Sequence, residues 1–302
     1  MSYVFGPVPS RRLGRSLGVD LVPFKTCPYD CIYCQIGCTT HKIIEPKEWV
    51  PMEEVLEELK TKLSGNPDYI TLSGSGEPTL YSRTGDIIDA IKKMTDIPVA
   101  VLTNGSLLWK EEVRKQLINA DLVVPSLDAG DKESFEAVNR PHKDISFDKM
   151  VDGLIQFRKE FKGQYWLEIL ILENHLETIN EIVKYVKLIK PDKVQLNTVT
   201  RPPAEKFAVG VSKEKLVEIS IMFDPHAEVI ADFKEIHEKP EFKANCEDVL
   251  NMLKRRPCSV EDISSGLRIH RNEVIKYIEE LMAKKLIKET LVNNIKYYES
   301  LR

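Results

Sequence analysis

Short apolar runs alternate with longer amphipathic stretches through most of this chain, and that rhythm restricts the folds open to it more than any other feature. The apolar runs are Gly18 to Val22, Tyr69 to Ser73, Val99 to Thr103, Asp121 to Leu127, Trp166 to Leu172 and Val194 to Val199. Between them lie Met52 to Leu63, Asp86 to Met94, Glu111 to Leu117, Phe147 to Phe161 and Leu176 to Ile189, with apolar residues at i, i+3 and i+4. A strand of period two followed by a helix of period 3.6 is a βα unit, and each helix is a crossover between parallel strands. Six such units predict either an open doubly wound sheet or a full or partial barrel, and periodicity alone does not choose. Both put their chemistry on the loops that follow the strands.

At 302 residues and 42% hydrophobic, the chain can bury one large core with room for a smaller unit. From about Ala244 the pattern changes. Helices are expected at Glu247 to Arg255, Val260 to Ser265 and Asn272 to Lys284. A hairpin follows, from Leu286 to Glu289 and Lys296 to Tyr298, around Asn293-Asn294. Helix, helix, helix and wing resembles a winged helix-turn-helix, so the expected units are 1–240 and 245–302. The third helix has Val274, Ile278 and Leu281 as its buried stripe and His270, Arg271, Lys276, Tyr277, Glu279 and Glu280 for its outer face. The second unit carries a net charge of +2 against −6 for the rest, which argues against a tight DNA reader and leaves RNA, peptide or protein docking open. No run approaches the roughly 18 apolar residues of a membrane span, and no signal segment is evident, so a cytoplasmic protein with no membrane partner is expected.

Four of the six cysteines fall between Cys27 and Cys38, which reads as a ligand set in a reducing compartment. Cys27-x3-Cys31-x2-Cys34 directly follows the first strand, where three thiolates on one loop can hold three corners of an iron-sulfur cubane and leave the fourth iron open. The alternative is a zinc site with Cys38 as fourth ligand. Cys38 is expected to be a small buried residue or a thiol behind the ligands, and Cys246 and Cys258 to be structural.

With Tyr33 in the aromatic position before Cys34, this motif resembles that of the radical S-adenosylmethionine (SAM) superfamily. The resemblance implies a partial (β/α)6 barrel and one 4Fe-4S cluster on Cys27, Cys31 and Cys34. It also implies SAM as cosubstrate, cleaved to a 5'-deoxyadenosyl radical that abstracts a hydrogen atom, and an electron donor such as ferredoxin or flavodoxin. Ser73-Gly74-Ser75-Gly76-Glu77-Pro78 resembles the superfamily's Gly-Gly-Glu-Pro motif, so Ser75, Gly76 and Glu77 are expected against the SAM methionine. Asn104, Ser126 and Asp128, at the next two strand ends, match positions of polar SAM contacts, and Asn197 on the sixth strand is a further candidate for SAM binding. All of these fall before residue 240, so loss of the second unit is expected to spare SAM cleavage unless that unit covers the barrel.

Glu168 and Asn197 would point into the barrel if the strand alternation holds. Arg11, Arg12, Arg15 and Arg201 are candidates to clamp an anionic substrate. The segment Phe5 to Arg12 resembles that of radical SAM proteins related to wyosine-type tRNA-modifying synthases. Residues 1–26 contain no cysteine, whereas 4-demethylwyosine synthases carry a second cluster from cysteines upstream of the motif. The wyosine-like resemblance makes a tRNA or nucleic-acid base the first substrate class, and the winged helix makes a peptide or protein the second. A metal-stabilised nucleic-acid-binding regulator is the rival of another kind.

Overall fold

The computed structural model describes residues 3–224, 226–231, 245–267, 269, 271–292 and 295–301. The Ala244 boundary, His270 and the Asn293-Asn294 turn lie outside them.

The chain opens with an antiparallel hairpin, β1 (Val4–Ser10) and β2 (Gly14–Val19). A small parallel pair follows, β3 (Thr26–Cys27) and β4 (His41–Lys42). Then come α1 (Met52–Lys62), β5 (Tyr69–Leu72), α2 (Thr84–Met94), β6 (Val99–Thr103), α3 (Glu111–Leu117) and β7 (Leu122–Pro125). Next are α4 (Lys132–Val138), α5 (Phe147–Glu160), β8 (Gln164–Ile171), α6 (Ile179–Ile189), β9 (Lys193–Thr198), α7 (Lys213–Ser220) and β10 (Glu228–Val229).

The main sheet runs β1-β2-β5-β6-β7-β8-β9-β10, parallel throughout except for β1. Neighbours in the sheet follow chain order with no reversal. A doubly wound sheet needs such a reversal, so the order is that of a barrel left open between β1 and β10.

Alternation along the strands gives the sheet two faces. Val101, Val123, Leu167 and Leu196 join the large core with the helices, while Ala100, Leu122, Val124 and Trp166 form a separate inner cluster with Leu13. Leu13 belongs to the β1–β2 turn, so that turn tucks into the sheet's concave side. The segment before the first apolar run is therefore a hairpin, where its glycines and prolines on their own read as a loop. Pro7 and Pro9 are tolerated because β1 is an edge strand whose unpaired side needs no N–H donor. The helix α4, which sequence periodicity did not supply, is short and opened by a capping box in which Asp131 accepts from the Ser134 amide at 2.8 Å.

Residues 246–300 form α8 (Cys246–Arg255), α9 (Val260–Leu267), α10 (Arg271–Ala283) and the hairpin β11 (Ile287–Val292) with β12 (Ile295–Ser300). Their core includes Val249, Leu253, Ile263, Val274, Ile278, Leu281 and Ile287, and Val8 of β1 packs against it. On α10, Arg271, Lys276, Glu279 and Glu280 are exposed, whereas Tyr277, expected on the outer face, is half-buried against this core. These elements cover the β1 edge, which would otherwise present unpaired backbone groups. No helix among the described residues is long and apolar enough to cross a membrane.

Candidate active site

The loops after the parallel strands meet around a cleft of about 430 Å³, lined by Cys27, Cys31, Cys34 and Tyr33 together with Gly76, Glu77, Asn104, Ser126, Asp128, Glu168 and Asn197. Residues spread over most of the chain thus converge on one space. Burial pushes the thiols of Cys27, Cys31 and Cys34 up from the usual range. Two amides reach these sulfurs: Asn104 Nδ2 donates to Cys27 Sγ at 3.2 Å, and Asn139 Nδ2 lies 3.5 Å from Cys31 Sγ. Cys38 is exposed, against the expectation of burial, and among the described residues no Cys, His, Asp or Glu side chains gather as a ligand group for a single metal ion. Cys258 is buried in the C-terminal core and Cys246 is half-buried on α8.

The Ser73–Pro78 loop is stitched to the start of the cysteine loop by two backbone bonds, Lys25 N to Ser75 O at 2.7 Å and Glu77 N to Thr26 O at 3.1 Å. A Cβ at position 76 would come within 2.2 Å of the Thr26 carbonyl, so glycine is required there by this loop's own packing, not only by any ligand. Glu77 lines the cleft as well, and its carboxylate is already hydrogen-bonded within the protein. Its Oε1 accepts from Thr79 N at 3.1 Å, Thr79 Oγ1 at 2.7 Å and Thr103 Oγ1 at 2.6 Å, and its Oε2 from Asn104 N at 2.8 Å. A carboxylate has about four acceptor sites, so Glu77 is occupied inside the protein, clamping the β5 loop to the end of β6. Burial raises its pKa.

Asp128 does a similar job one strand further on. Its Oδ2 accepts from Tyr33 Oη and from Asn139 Nδ2 at 3.1 Å, and its Oδ1 from Leu170 N at 3.0 Å. It thereby joins the cysteine loop, the end of α4 and β8, while burial pushes it up to about 6. Asn104 also caps its own turn by accepting from Ser106 N at 2.9 Å. Ser126 lines the cleft where β7 bridges Glu168. Ser75, by contrast, is buried and turned away from the cleft toward Asp20, whose carboxylate its N–H reaches at 3.1 Å.

Beneath the cysteines the β1–β2 turn supplies a polar floor. Arg12 makes a two-pronged pair with Glu168 at 2.6 and 2.7 Å, and Asn197 Nδ2 donates to the same carboxylate at 2.9 Å. Arg12 and Asn197 outweigh the burial of Glu168 and hold its pKa below the ordinary value. Arg11 donates to Asn197 Oδ1 at 2.9 Å. Arg15 does not join them: its backbone N–H meets Asp68 and its guanidinium the Asn66 carbonyl, at the start of β5 and away from the cleft.

The C-terminal helices complete the wall, which the sequence did not reveal. Met252, Arg255 and Arg256 line the cleft. Arg255 donates to Asp20 and, at 3.1 Å, to Ser75 Oγ, and its guanidinium lies 5.1 Å from the Phe5 ring centroid. Arg201 pairs with Asp262 at 3.3 Å, and Tyr297 Oη donates to Thr200 O at 2.7 Å.

Residues 21–189 match the sequence profile of the radical SAM superfamily. A relative called GTPase Obg from Brachyspira hyodysenteriae is 42% identical over 98% of this chain, which spans only 45% of that protein's length. A UPF0026 protein of Methanocaldococcus jannaschii is 38% identical over 98% of this chain and 90% of its own length. Among solved structures, TYW1 with a lysine-pyruvate adduct shares the fold at a TM-score of 0.56 and 19% identity, over 74% of this chain and 76% of that one. The chain belongs to the radical SAM superfamily and is a SAM-dependent iron-sulfur enzyme, with a 4Fe-4S cluster and SAM as its cofactors.

Proposed function

We propose that Cys27, Cys31 and Cys34 hold a single 4Fe-4S cluster and that SAM, bound beside it, serves hydrogen abstraction from a nucleic-acid base, a tRNA base first. The observation that carries this is the meeting of the three thiols, two with amide donors at their sulfurs, in one cleft that continues into a polar floor. The donor set fits the group: thiolates are the ligands of iron-sulfur clusters, and hydrogen bonds to the sulfurs stabilise them as anions. When bound, the cluster supplies the electron that cleaves SAM to a hydrogen-abstracting radical.

The chain's own residues do the rest. Asn104 and Asn139 orient the thiols, Glu77 and Asp128 fix the loops that carry those amides, and Gly76, Ser126 and Asn197 offer the cosubstrate backbone and polar contacts. The Arg12–Glu168 pair sets the depth to which a substrate can enter.

For the substrate class, support comes from the Phe5 to Arg12 segment and from the arginines that border the cleft. We read residues 1–240 as the barrel unit and 245–302 as a winged-helix-like unit. The mixed charge exposed on α10 favours a peptide or protein partner as the second reading. A cytoplasmic location, consistent with free thiols, and ferredoxin or flavodoxin as electron donor complete the proposal.

Anaerobic reconstitution tests it. Four irons and four sulfides per chain, with 5'-deoxyadenosine and methionine formed from SAM under reduction, are expected. Serine at Cys27, Cys31 or Cys34 should abolish the cluster, and serine at Cys38, Cys246 or Cys258 should leave it. One zinc per chain would support the regulator instead.

A further inference from the structure

A tight turn packs on the cysteine loop from outside the cleft. Ala208 N donates to Glu205 O at 3.0 Å, which makes Lys206 and Phe207 its corner residues. Both ends of the turn are pinned. Glu205 N donates to Ile32 O at 2.9 Å, and Ala208 is buried in one apolar cluster with Ile32, Val138 and Leu172. Ile32 directly follows Cys31 in the chain. Tyr33, Leu170 and Val199 join that cluster from the cleft, whereas Lys206, Phe207 and Val209 are not part of the cleft lining. The route from the turn to a thiol of the motif is thus one hydrogen bond and one residue long.

The side chains that this turn shows to solvent do not serve the fold. Phe207 is 54% exposed and Val209 46%, and neither joins a core. Turn corners are usually filled by Gly, Asn, Asp or Ser, and an aromatic held in water beside an aliphatic residue is the kind of surface that a partner covers.

Cations border the turn. Arg140 pairs with Glu205 at 2.6 Å, and Lys42 Nζ donates to the Arg140 carbonyl at 2.9 Å. Lys42, Lys143 and Lys206 are exposed, and among the described residues none of the three meets a carboxylate. The acids nearby are Glu173, whose N–H donates to Val209 O at 3.0 Å, and Asp144, which lies beside His142. The patch is therefore positive on a chain whose net charge is −4. A substrate base has to enter the cleft, which these residues do not line. An electron donor does not: electron transfer weakens steeply with distance, so a donor needs only a dock where the covering protein is thin.

From this we propose that the Glu205–Ala208 turn, rimmed by Lys42, Lys143 and Lys206, is the docking surface for a small acidic one-electron carrier protein, the electron entering by way of Ile32 and Cys31. The proposal rests on the reading of Cys31 as a ligand of the 4Fe-4S cluster. In the transfer the carrier's reduced flavin or iron-sulfur group loses one electron, the cluster gains it, and no atom or proton changes hands. Redox encounters use small interfaces and depend on charge for their rate, which suits two exposed apolar side chains inside a rim of lysines.

The test mixes the full-length, cluster-reconstituted chain with a flavodoxin whose flavin is fully reduced and follows cluster reduction by stopped-flow absorbance. Binding of the oxidised flavodoxin is measured by calorimetry. The double variant Lys143→Glu, Lys206→Glu should slow reduction about tenfold at low salt, and Phe207→Ala should weaken binding by a similar factor. Added salt should slow the wild type more than the charge-reversed protein. Dithionite, which needs no docking surface, should reduce all of them at one rate, and Lys93→Glu on the exposed side of α2 should behave as wild type. Equal rates and affinities in wild type and variants, or a wild type that flavodoxin does not reduce, would overturn the proposal. Variants that lose binding of tRNA while flavodoxin reduces them normally would overturn it too, and assign the patch to nucleic acid. SAM cleavage under dithionite is measured on the same preparations. Protein that cleaves SAM but shows no effect of the variants sinks the docking surface alone, and protein that is reduced without cleaving SAM sinks the radical reading alone.

Discussion

The side-chain amide of Asn104 donates to the sulfur of Cys27 across 3.2 Å, joining the end of β6 to the loop that carries the cysteines. A hydrogen bond to a ligand sulfur draws electron density from it and eases reduction of the cluster. Replacing Asn104 by alanine should lower the midpoint potential by about 60 mV, the one-electron equivalent of a bond worth roughly 1.4 kcal/mol. A redox titration followed by electron paramagnetic resonance reads this directly. An unshifted potential would mean that the amide does not contact the ligated sulfur.

The Arg12–Glu168 pair calls for a double-mutant cycle. Glu168→Ala leaves a largely buried guanidinium without its partner, and we expect a loss of about 3 kcal/mol in denaturant unfolding. The double variant Arg12→Ala, Glu168→Ala should be less damaged than the sum of the singles by at least 1 kcal/mol or so. Additive losses would show that the two side chains stabilise the barrel independently.

Asp128 makes stability depend on pH in a defined window. Its folded pKa stands near 6, raised by burial, against an unfolded value of 3.8. Between those values the native state holds more protons than the unfolded chain. The contribution is therefore fully present below about pH 4 and lost as pH rises through 6, about 3 kcal/mol in all. Asp128→Asn removes that titration. The stability difference between wild type and variant, measured on the cluster-free protein, should change between pH 4 and 6 and stay level from 7 to 8.

Arg255 ties α8 to the loop expected to face SAM. Arg255→Ala should leave iron content intact, because its bonds to Asp20 and Ser75 lie outside the cysteine motif, yet weaken SAM binding several-fold by releasing the Ser75 hydroxyl and leaving the buried Asp20 without its cationic partner. Removal of residues 245–302 should do the same more strongly, because α8 lines the cleft and so meets the condition under which loss of that unit was not expected to spare SAM cleavage. Equal SAM affinity in a dialysis measurement would show that the helices only shield the β1 edge.

Local pattern made the parallel strands and most crossover helices legible, because a two-residue and a 3.6-residue period are properties of the segment itself. The Glu111–Leu117 helix and the Val99–Thr103 strand lie where the pattern puts them. The hairpin before them was not legible, since Gly6, Pro7 and Pro9 read as loop until an edge position excuses them. Cys27, at the end of β3, and Cys31 and Cys34 in the loop after it stand close together in sequence and announce themselves. Asn139 and Arg255 do not, being 108 residues from Cys31 and 235 from Asp20, and an ordinary Asn or Arg acquires meaning only when the fold delivers it. Glu77 was identifiable as a site residue, but of its four internal donors the two from Thr103 and Asn104, at the end of β6, could not be foreseen.

The contact between Asp20 and Arg255 also sets an order of events during synthesis. A ribosome adding about 5–20 residues per second places the cysteine loop in solution for ten seconds or more before Arg255 emerges. Throughout that interval the growing chain lacks α8, and the side of the cleft that Met252, Arg255 and Arg256 later occupy is open. The thiols are easiest to approach then, and docking of the last helices afterwards closes that side of the cleft.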